Sequence, residues 1–409
     1  MASSKLRSLA LFSSPLTLLL AACATSGSDA TWSDPSSIPA ATLPDGAPGT
    51  QAGDTSEGGE PAPLEDGGVE ANAPNPFDDS GVRPPNDDAA PPPMTMPSFL
   101  IGYNEGWFAD NYGTDYTTAF NLAYVNKTLD GIVSAGGHVV RLFLFEAAQG
   151  FTLGTTTPQT QGISAPMLSN VDLVITAARA RGLWVYLTAL NGDEMYQDPP
   201  ALLSYFKNLL NDPSELQAYL TNVVAPTLQL LNAHQDNVFG LDMINEIEAP
   251  IQKGVFDDPI NGPHTFMQTM RAFIKTQSPW LKVTSTAGWG TAATDVSTGL
   301  FSGVGLDFYD LHEYADSGDY AGATAVCDRA QQDGVFVILG EFGQSSQTID
   351  DTIQADATYN FVSTAKSMCF KAAIAWRYDY SALPTSNWFN YIRADGSFRP
   401  AVALIQEQL

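Results

Sequence analysis

Two glutamates, each just after a mostly apolar segment, are the groups in this sequence best suited to chemistry. Glu246 follows residues 238–245, in which only Asp242 and Asn245 are polar, and Glu341 follows the apolar run at residues 337–340. One carboxylate can attack an electrophilic carbon while another moves protons. Two carboxylates in close proximity cannot both ionise cheaply, so their surroundings must separate their pKa values. The sequence therefore predicts an acid/base and nucleophile pair, if the fold brings the two together.

Strand-like and helix-like segments alternate through residues 97–409. Eight short segments are rich in Val, Ile, Leu, Phe and Tyr, and their mostly continuous apolarity is typical of parallel strands covered on both faces. They are residues 99–103, 138–145, 183–190, 238–244, 282–287, 308–312, 336–339 and 372–378. Helical patterns lie between them, and glycine, a common stop signal, follows several of these patterns. Examples are residues 119–134, 169–181, 214–233, 264–277 and 352–369.

This alternation predicts an α/β fold, a single closed (β/α)8 TIM barrel, because such barrels commonly take about 250 residues plus loop insertions. Functional side chains of a barrel gather at the carboxyl ends of its strands. Strands four and seven lie on roughly opposite sides of the ring, so Glu246 and Glu341 would face each other across its mouth. The alternative, a doubly wound open sheet, would carry a Gly-rich phosphate turn after its first strand, and residues 102–105 do not form one.

Polar and aromatic residues at the strand ends follow a recognisable order. They are Arg141 on strand two, the Asn245-Glu246 pair after strand four, His312 and Tyr314 after strand six, Glu341-Phe342-Gly343 after strand seven, and Trp376 near the end of strand eight. From residue 103 to 376 this order resembles glycoside hydrolase clan A, and most closely family 5, the cellulases and mannanases. Asp307-Phe308 and the Glu-Phe-Gly run are more similar to β-mannanases. Asn191-Gly192 departs from the His-Gly that the family usually has after strand three, which leaves the sugar open.

The resemblance implies a retaining endo-β-glycanase that hydrolyses β-1,4-linked polysaccharide, with β-mannan favoured and β-glucan next. Glu246 would be the acid/base, and Glu341 would be the nucleophile that forms a glycosyl-enzyme intermediate. Arg141 would hydrogen-bond Glu341 and keep it charged, and Tyr314 would donate to the same carboxylate and orient it. Asn245 would reach the sugar 2-hydroxyl, a contact that strengthens in the transition state.

Other residues near strand ends are predicted to support or bind the sugar. His312 would join the hydrogen-bond network, Trp376 would offer a flat face to the sugar ring, and Asn191 would lie nearby. Aromatic residues near strand ends could line a cleft, with loop packing as the alternative; they are Trp107, Tyr112, Trp289, Tyr378 and Trp388. The remaining histidines show no metal-ligand spacing and no cofactor signature is present, so we expect neither a metal nor a cofactor.

Glu248 competes with Glu246 for the acid/base role. It lies two residues further along, and on a continuing strand it would share the same face. Asn245, which directly precedes Glu246, favours Glu246. Two functions of other classes stay open beside hydrolysis: a catalytically inactive barrel that binds polysaccharide, and a structural lipoprotein of the cell envelope.

Residues 1–23 have the pattern of a bacterial lipoprotein signal peptide. Lys5 and Arg7 supply positive charge, and the apolar run at residues 8–22 is too short to span a bilayer comfortably. The run ends Leu-Ala-Ala before Cys23, which resembles a lipobox whose cysteine is lipidated. An ordinary secretion signal is the alternative. Both predict export, either to the cell envelope with a lipid anchor at Cys23, most favourably on the outer membrane, or into the medium.

Composition changes sharply after the signal. Residues 24–96 are rich in Pro, Gly, Ser, Ala and Asp, with 13 acidic residues and one basic residue, so they predict a disordered linker. Residues 97–409 carry 32 acidic and 15 basic residues, a net charge of −17 that argues against nucleic acid or an anionic membrane as partner. We expect a monomer. Cys327 and Cys369 remain as an even pair in an exported domain, which fits either a disulfide or two buried thiols.

Overall fold

The computed structural model describes residues 94–155, 159–196, 200–288, 290–346, 348, 350–379 and 388–408. Its strands are β1 (Leu100–Glu105), β2 (Val139–Phe143), β3 (Phe151–Leu153), β4 (Thr160–Ile163), β5 (Trp184–Asn191), β6 (Val238–Asn245), β7 (Val283–Thr284), β8 (Thr286–Ala287), β9 (Phe308–Tyr314), β10 (Phe336–Gly343) and β11 (Phe370–Ala375). Its α-helices are α1 (Leu122–Ser134), α2 (Ala165–Ala180), α3 (Pro200–Asn211), α4 (Pro213–Tyr219), α5 (Ala225–Leu231), α6 (Glu248–Gln252), α7 (Gly262–Gln277), α8 (Ala292–Thr298), α9 (Ala323–Asp333), α10 (Asp351–Ser367) and α11 (Pro400–Glu407).

Nine strands form one parallel sheet in the order β7-β6-β5-β2-β1-β11-β10-β9-β8. The two ends of this order, β7 and β8, are halves of one predicted strand that only Ser285 separates, with β7 paired to β6 and β8 paired to β9. The sheet therefore curves into a barrel with eight strand positions. This confirms the predicted (β/α)8 barrel and rules out the doubly wound sheet.

Element boundaries differ from the prediction in several places. Strands β9 and β10 run on to Tyr314 and Gly343, because polar residues at their ends stay in the ladder between the two strands. Strand β11 ends at Ala375, before the predicted end at 378. The predicted helix at 214–233 is divided by a π-helical turn at Leu220–Val224, next to Pro226, which lacks the N–H that a regular helix would use there. The short antiparallel pair β3–β4 was not predicted.

An aromatic layer fills the end of the barrel at which the strands begin. Phe239, Phe308 and Phe336 are early residues of their strands, and the rings of Phe308 and Phe336 stack with centroids 5.1 Å apart. Tyr186 packs edge-on against Phe239 and Phe308. Because apolar side chains close this end, the polar residues of the barrel interior collect toward the carboxyl ends of the strands.

A disulfide joins Cys327 in α9 to Cys369, directly before β11, with their Cα atoms 5.7 Å apart. Among the described residues, none of the helices has the length and apolar character required to cross a membrane. The predicted signal peptide at 1–23 with Cys23, and the predicted linker as far as residue 93, lie outside the described residues.

Candidate active site

Glu246 and Glu341 come together at the mouth of the barrel. Glu246 directly follows β6, and Glu341 lies near the end of β10. One carboxylate oxygen of each and Nδ1 of His312 all lie within 4.8 Å of one another. Both glutamate side chains are largely buried, with 13% and 6% exposed. A separation of this size agrees with the short spacing, about 5–5.5 Å, between the carboxyl groups of retaining glycosidases.

Two donors bond to the Glu341 carboxylate, and an imidazole lies beside it. The guanidinium of Arg141, which is fully buried, donates to Oε1, and the hydroxyl of Tyr314 donates to Oε2 at 2.7 Å. His312 Nδ1 lies 3.5 Å from the same Oε2. His312 and Glu341 are neighbours in the register of β9 and β10. Burial and the Glu341 charge raise the pKa of Tyr314 well above its ordinary value, so the phenol keeps its proton and donates. These contacts hold both carboxylate oxygens of Glu341 in place, as an attacking group requires.

Arg141 remains a cation in this buried place. Burial lowers the pKa of Arg141. The negative charge of Glu341, followed by other nearby groups including Asp242, raises that pKa by more, so the net shift is upward. The guanidinium also bonds Asp242 at 3.0 Å and Asn104, its strand neighbour, at 3.1 Å. A buried arginine without partners would be costly, so this set explains how a strand interior accommodates one.

Glu246 has a different environment. Its Oε1 lies 2.8 Å from His312 Nδ1, and its backbone N–H donates to Thr286 Oγ1 at 2.6 Å. Burial lowers the pKa of His312 to about 3, so the imidazole is neutral above that pH. Glu246 thus has a neutral hydrogen-bonding neighbour where Glu341 has a cation.

The backbone at Glu246 is also unusual. Its φ is +48°, in the left-handed region that residues with a side chain rarely adopt. Gly288 faces the glutamate so closely that a Cβ there would lie 2.1 Å from Glu246 Oε1. A side chain at this position would therefore displace the Glu246 carboxylate from the place it has here.

The strand does not continue past Asn245, so the condition under which Glu248 would share a face with Glu246 is not met. Strand β6 stops at Asn245, and Glu248 is the first residue of α6, where it is 2% exposed. Burial raises the pKa of Glu248 well above its ordinary value. Glu248 is not among the residues whose ligand atoms lie together at the mouth.

Asn245 and Asn191 are strand neighbours in the register of β5 and β6. Arg141 donates to Asn245 Oδ1 at 2.8 Å, and Asn245 Nδ2 donates to Asn191 Oδ1 at 3.2 Å. Asn191 Nδ2 in turn donates to Glu146 Oε1 at 3.1 Å. Because the oxygen of Asn245 already accepts from Arg141, the amide end that can face a sugar hydroxyl is its Nδ2.

The predicted residues Trp376 and Trp107 form an aromatic wall beside these groups. Trp376 follows β11 directly and is half-buried; its ring centroid lies 5.9 Å from that of Trp107 and 6.0 Å from that of Phe143. Tyr112 lies beside Trp107, with centroids 5.3 Å apart. Flat apolar faces in such a place suit the stacking of a sugar ring.

Two of the other predicted aromatic residues lie in the protein core instead. Tyr378 is 3% exposed and packs edge-on against Tyr103, with its hydroxyl beside Gly131 of α1, so a role for it in a cleft is wrong. Trp388 is 6% exposed and packs against Phe389. Trp289 lies outside the described residues.

Several groups of the site were missed by sequence reasoning. Asp242 and Asp310 are buried acids inside apolar strands, and Tyr186 donates to Asp310 at 2.5 Å. Burial raises the pKa of Asp242 to about 7 and that of Asp310 well above its ordinary value. An acid within an apolar run must have a partner, and that was the available signal for both. Asn104 and Glu146 follow or end strands and gave a weaker signal.

The ligand atoms of Glu246, His312 and Glu341 are close enough together to hold a metal ion. Two observations favour another explanation. The Arg141 guanidinium already neutralises Glu341, and His312 directs Nδ1 into a hydrogen bond with Glu246. The arrangement is accounted for by charge pairing and hydrogen bonding among the side chains themselves.

No protein-family model matches the chain, and no curated protein sequence matches it. Solved structures do. A β-1,4-D-mannanase from Cryptopygus antarcticus is 15% identical with a TM-score of 0.57, covering 76% of this chain and 90% of its own. An endo-1,4-β-mannanase from Eisenia fetida is 19% identical with a TM-score of 0.57, covering 76% and 91%. A GH5_18 protein from Streptomyces cattleya, in complex with GlcNAc, is 14% identical with a TM-score of 0.56, covering 77% and 80%. The chain thus has a barrel fold like that of family 5 glycoside hydrolases.

Proposed function

We propose that this protein is a retaining glycoside hydrolase that cuts β-1,4-linked polysaccharide from within the chain, with β-mannan as the favoured substrate. The observation that carries the proposal is the pair of carboxylates within 4.8 Å at the mouth of the barrel, one beside a buried cation and the other beside a neutral imidazole. Paired carboxylates with different surroundings are what double displacement requires.

In the first step, Glu341 attacks the anomeric carbon while Glu246 gives its proton to the departing sugar oxygen. Arg141 and Tyr314 hold the attacking carboxylate charged and oriented. Neutral His312 keeps Glu246 in place through its hydrogen bond without adding a charge. In the second step, Glu246 takes a proton from water, and the water displaces Glu341 from the sugar. The configuration at the anomeric carbon is therefore retained.

The preference for mannan is supported by two observations. The Asp307-Phe308 and Glu341-Phe342-Gly343 runs are similar to those of β-mannanases, and β-mannanases are among the solved structures with this fold. The departure at Asn191 leaves β-glucan as the second candidate substrate. We further propose that the enzyme is displayed on the cell envelope by a lipid at Cys23 and the linker at residues 24–96.

Hydrolysis of a panel of mannan, β-glucan and xylan by the purified protein, with sizing of the products, tests the proposal. We expect short oligosaccharides from mannan early in the reaction, because internal cleavage shortens chains before it releases free sugar. Glu341→Gln is the matched control, since it keeps the shape of the side chain but not its charge. A wild-type protein that binds mannan and releases no reducing ends from any glycan would favour the inactive binding barrel.

A further inference from the structure

Glu146 is a buried glutamate at the mouth of the barrel that the proposed reaction does not use. It is 1% exposed and begins the 3-10 turn Glu146–Ala148 after β2. The next two residues, Ala147 and Ala148, have φ of +49° and +55°, which is unfavourable for residues with a side chain. Glu194 holds this turn, because its two carboxylate oxygens accept from Ala147 N–H at 2.8 and 2.9 Å. A strained turn with a dedicated buried carboxylate to hold it indicates that the direction of Glu146 matters.

The Glu146 carboxyl group contacts the amide side of the candidate sugar site. Its Oε1 accepts from Asn191 Nδ2 at 3.1 Å. Burial raises the pKa of Glu146 well above its ordinary value, and the hydrogen bond from Asn191 opposes that rise. Through Asn191, which accepts from Asn245 Nδ2, the group is linked to the residue that precedes Glu246.

Glu146 lies at one end of a chain of hydrogen bonds that orients both amides, and Arg141 lies at the other end. Asn191 Nδ2 donates to Glu146 Oε1, Asn245 Nδ2 donates to Asn191 Oδ1, and Arg141 donates to Asn245 Oδ1. A flipped Asn191 would set its N–H groups against those of Asn245 and against the backbone N–H of Asp193, which now donates to its Oδ1 at 3.2 Å. Every other orientation therefore loses hydrogen bonds along the chain. Each Nδ2 carries a second proton, which can donate to a substrate.

Mannose and glucose units differ only in the configuration of the hydroxyl at C2. In retaining glycosidases, contact with this hydroxyl strengthens in the transition state, so its placement affects the rate. Asn245 precedes the acid/base residue and presents Nδ2 at this place, and Asn191 replaces the usual histidine beside it. We propose that Glu146 is a positioning residue which, acting through Asn191, orients Asn245 and so sets the preference between the two configurations at C2. This inference rests on the proposed function.

The test is the ratio of kcat/KM for an aryl β-mannobioside to kcat/KM for the matching aryl β-cellobioside. Loss of folded enzyme lowers both values equally, so the ratio reports discrimination alone. Glu146→Leu keeps roughly the size of the side chain but removes both oxygens that could accept from Asn191. We expect the ratio to fall by about tenfold, the effect of one misplaced hydrogen bond. Glu215→Leu is the control: Glu215 is also a buried glutamate, but it accepts from Thr160 N–H at 2.8 Å in the β3–β4 pair, and its ratio should equal that of the wild type.

Asn191→Leu, similar in size but unable to accept from Asn245, should give the same loss, and it serves if Glu146→Leu does not fold. The double variant should lose no more than either single variant, because both act on one chain of hydrogen bonds. An unchanged ratio in Asn191→Leu, or additive losses in the double variant, would overturn the assignment while the wild type stays active. A wild type that is inactive on both substrates would overturn the proposed function itself, and this inference with it.

Discussion

Removal of each glutamate in turn should separate the two roles at the site. In Glu246→Ala, Glu341 keeps its contacts with Arg141 and Tyr314, so the attacking group is intact and only proton transfer is lost. General acid catalysis contributes roughly 10²–10⁴-fold, which is the expected loss on polysaccharide. A dinitrophenyl glycoside needs little protonation on departure. On that substrate the first step should stay within about tenfold of the wild type, by the same reasoning.

Glu341→Ala should behave differently, because no group is left to form the covalent intermediate. It also leaves the Arg141 cation without the carboxylate that contributes most to its raised pKa. We expect a loss of about 10⁴-fold or more on both substrates. The assay is burst and steady-state release of dinitrophenol, with and without azide, which is small enough to enter the space left by a carboxylate. Azide should accelerate Glu246→Ala and give a glycosyl azide of retained configuration. Any azide product of Glu341→Ala should be inverted.

Glu248→Gln is the matched control for these variants. Burial raises the pKa of Glu248 well above its ordinary value, so a neutral amide of the same shape should be tolerated there. Its activity should stay close to that of the wild type on both substrates. A retained azide product from Glu341→Ala, with an inverted one from Glu246→Ala, would show that the roles are reversed. Full activity in both alanine variants would refute the site.

Four further measurements test other parts of the molecule. Tyr314→Phe removes a hydroxyl 2.7 Å from Glu341, so kcat/KM should fall about 10–100-fold with little change in Tm; an equal kcat/KM would contradict the proposed support of the nucleophile. Burial raises the pKa of Glu194 to about 8, so the folded state keeps a proton that the unfolded state releases above about 4.5. The group therefore lowers the free energy of unfolding as pH rises from 4.5 to 8. Measured by urea unfolding between pH 5 and 7, this decrease should be smaller in Glu194→Gln than in the wild type, by up to about 1.4 kcal/mol per pH unit. Equal decreases in the two proteins would refute this. Cys327→Ser with Cys369→Ser opens a loop with a sequence separation of 42, which should lower the free energy of unfolding by about 4 kcal/mol; two free thiols in the unreduced, unfolded wild type would contradict it. Cys23→Ser should release the protein from membranes with unchanged activity, as fractionation would measure, and a wild type already soluble outside the cell would oppose the lipid anchor.

The barrel could be predicted because its strands are buried on both faces and so appear as unbroken apolar runs. All residues of β2 and β6 are buried, and both strands were found with small errors at their ends. Strands β9 and β10 were predicted too short, because polar residues and glycines interrupt the apolar pattern near their ends. In the sequence, such interruptions are typical of loops. In the structure they are the site, and the pairing of Glu341 with His312 keeps them in the sheet.

Partners of the predicted residues were harder to predict than the residues themselves. Arg141 and Glu341 are 200 positions apart, and Asn104 bonds to the carbonyl of Gly340, 236 positions away. The family resemblance implied the first of these contacts, but nothing in the sequence implied the second. The same holds for Glu146. Its importance depends on a left-handed turn at Ala147 and Ala148, and alanine does not indicate such a turn in a sequence. Glycine would have indicated such a turn.

The position of Arg141 explains why the two carboxylates differ at all. Strand β2 pairs with β1 and β5, so neither strand that supplies a glutamate is its neighbour. Its side chain is long enough to cross the barrel interior, where it meets Glu341 from β10 and Asp242 from β6. Because Glu246 lies past the end of β6, the cation meets Asp242 on that side of the barrel instead of the acid/base. An arginine one strand position away would face other partners. The proposed assignment of the two roles, nucleophile to Glu341 and acid/base to Glu246, therefore depends on the strand that carries this cation as much as on the glutamates themselves.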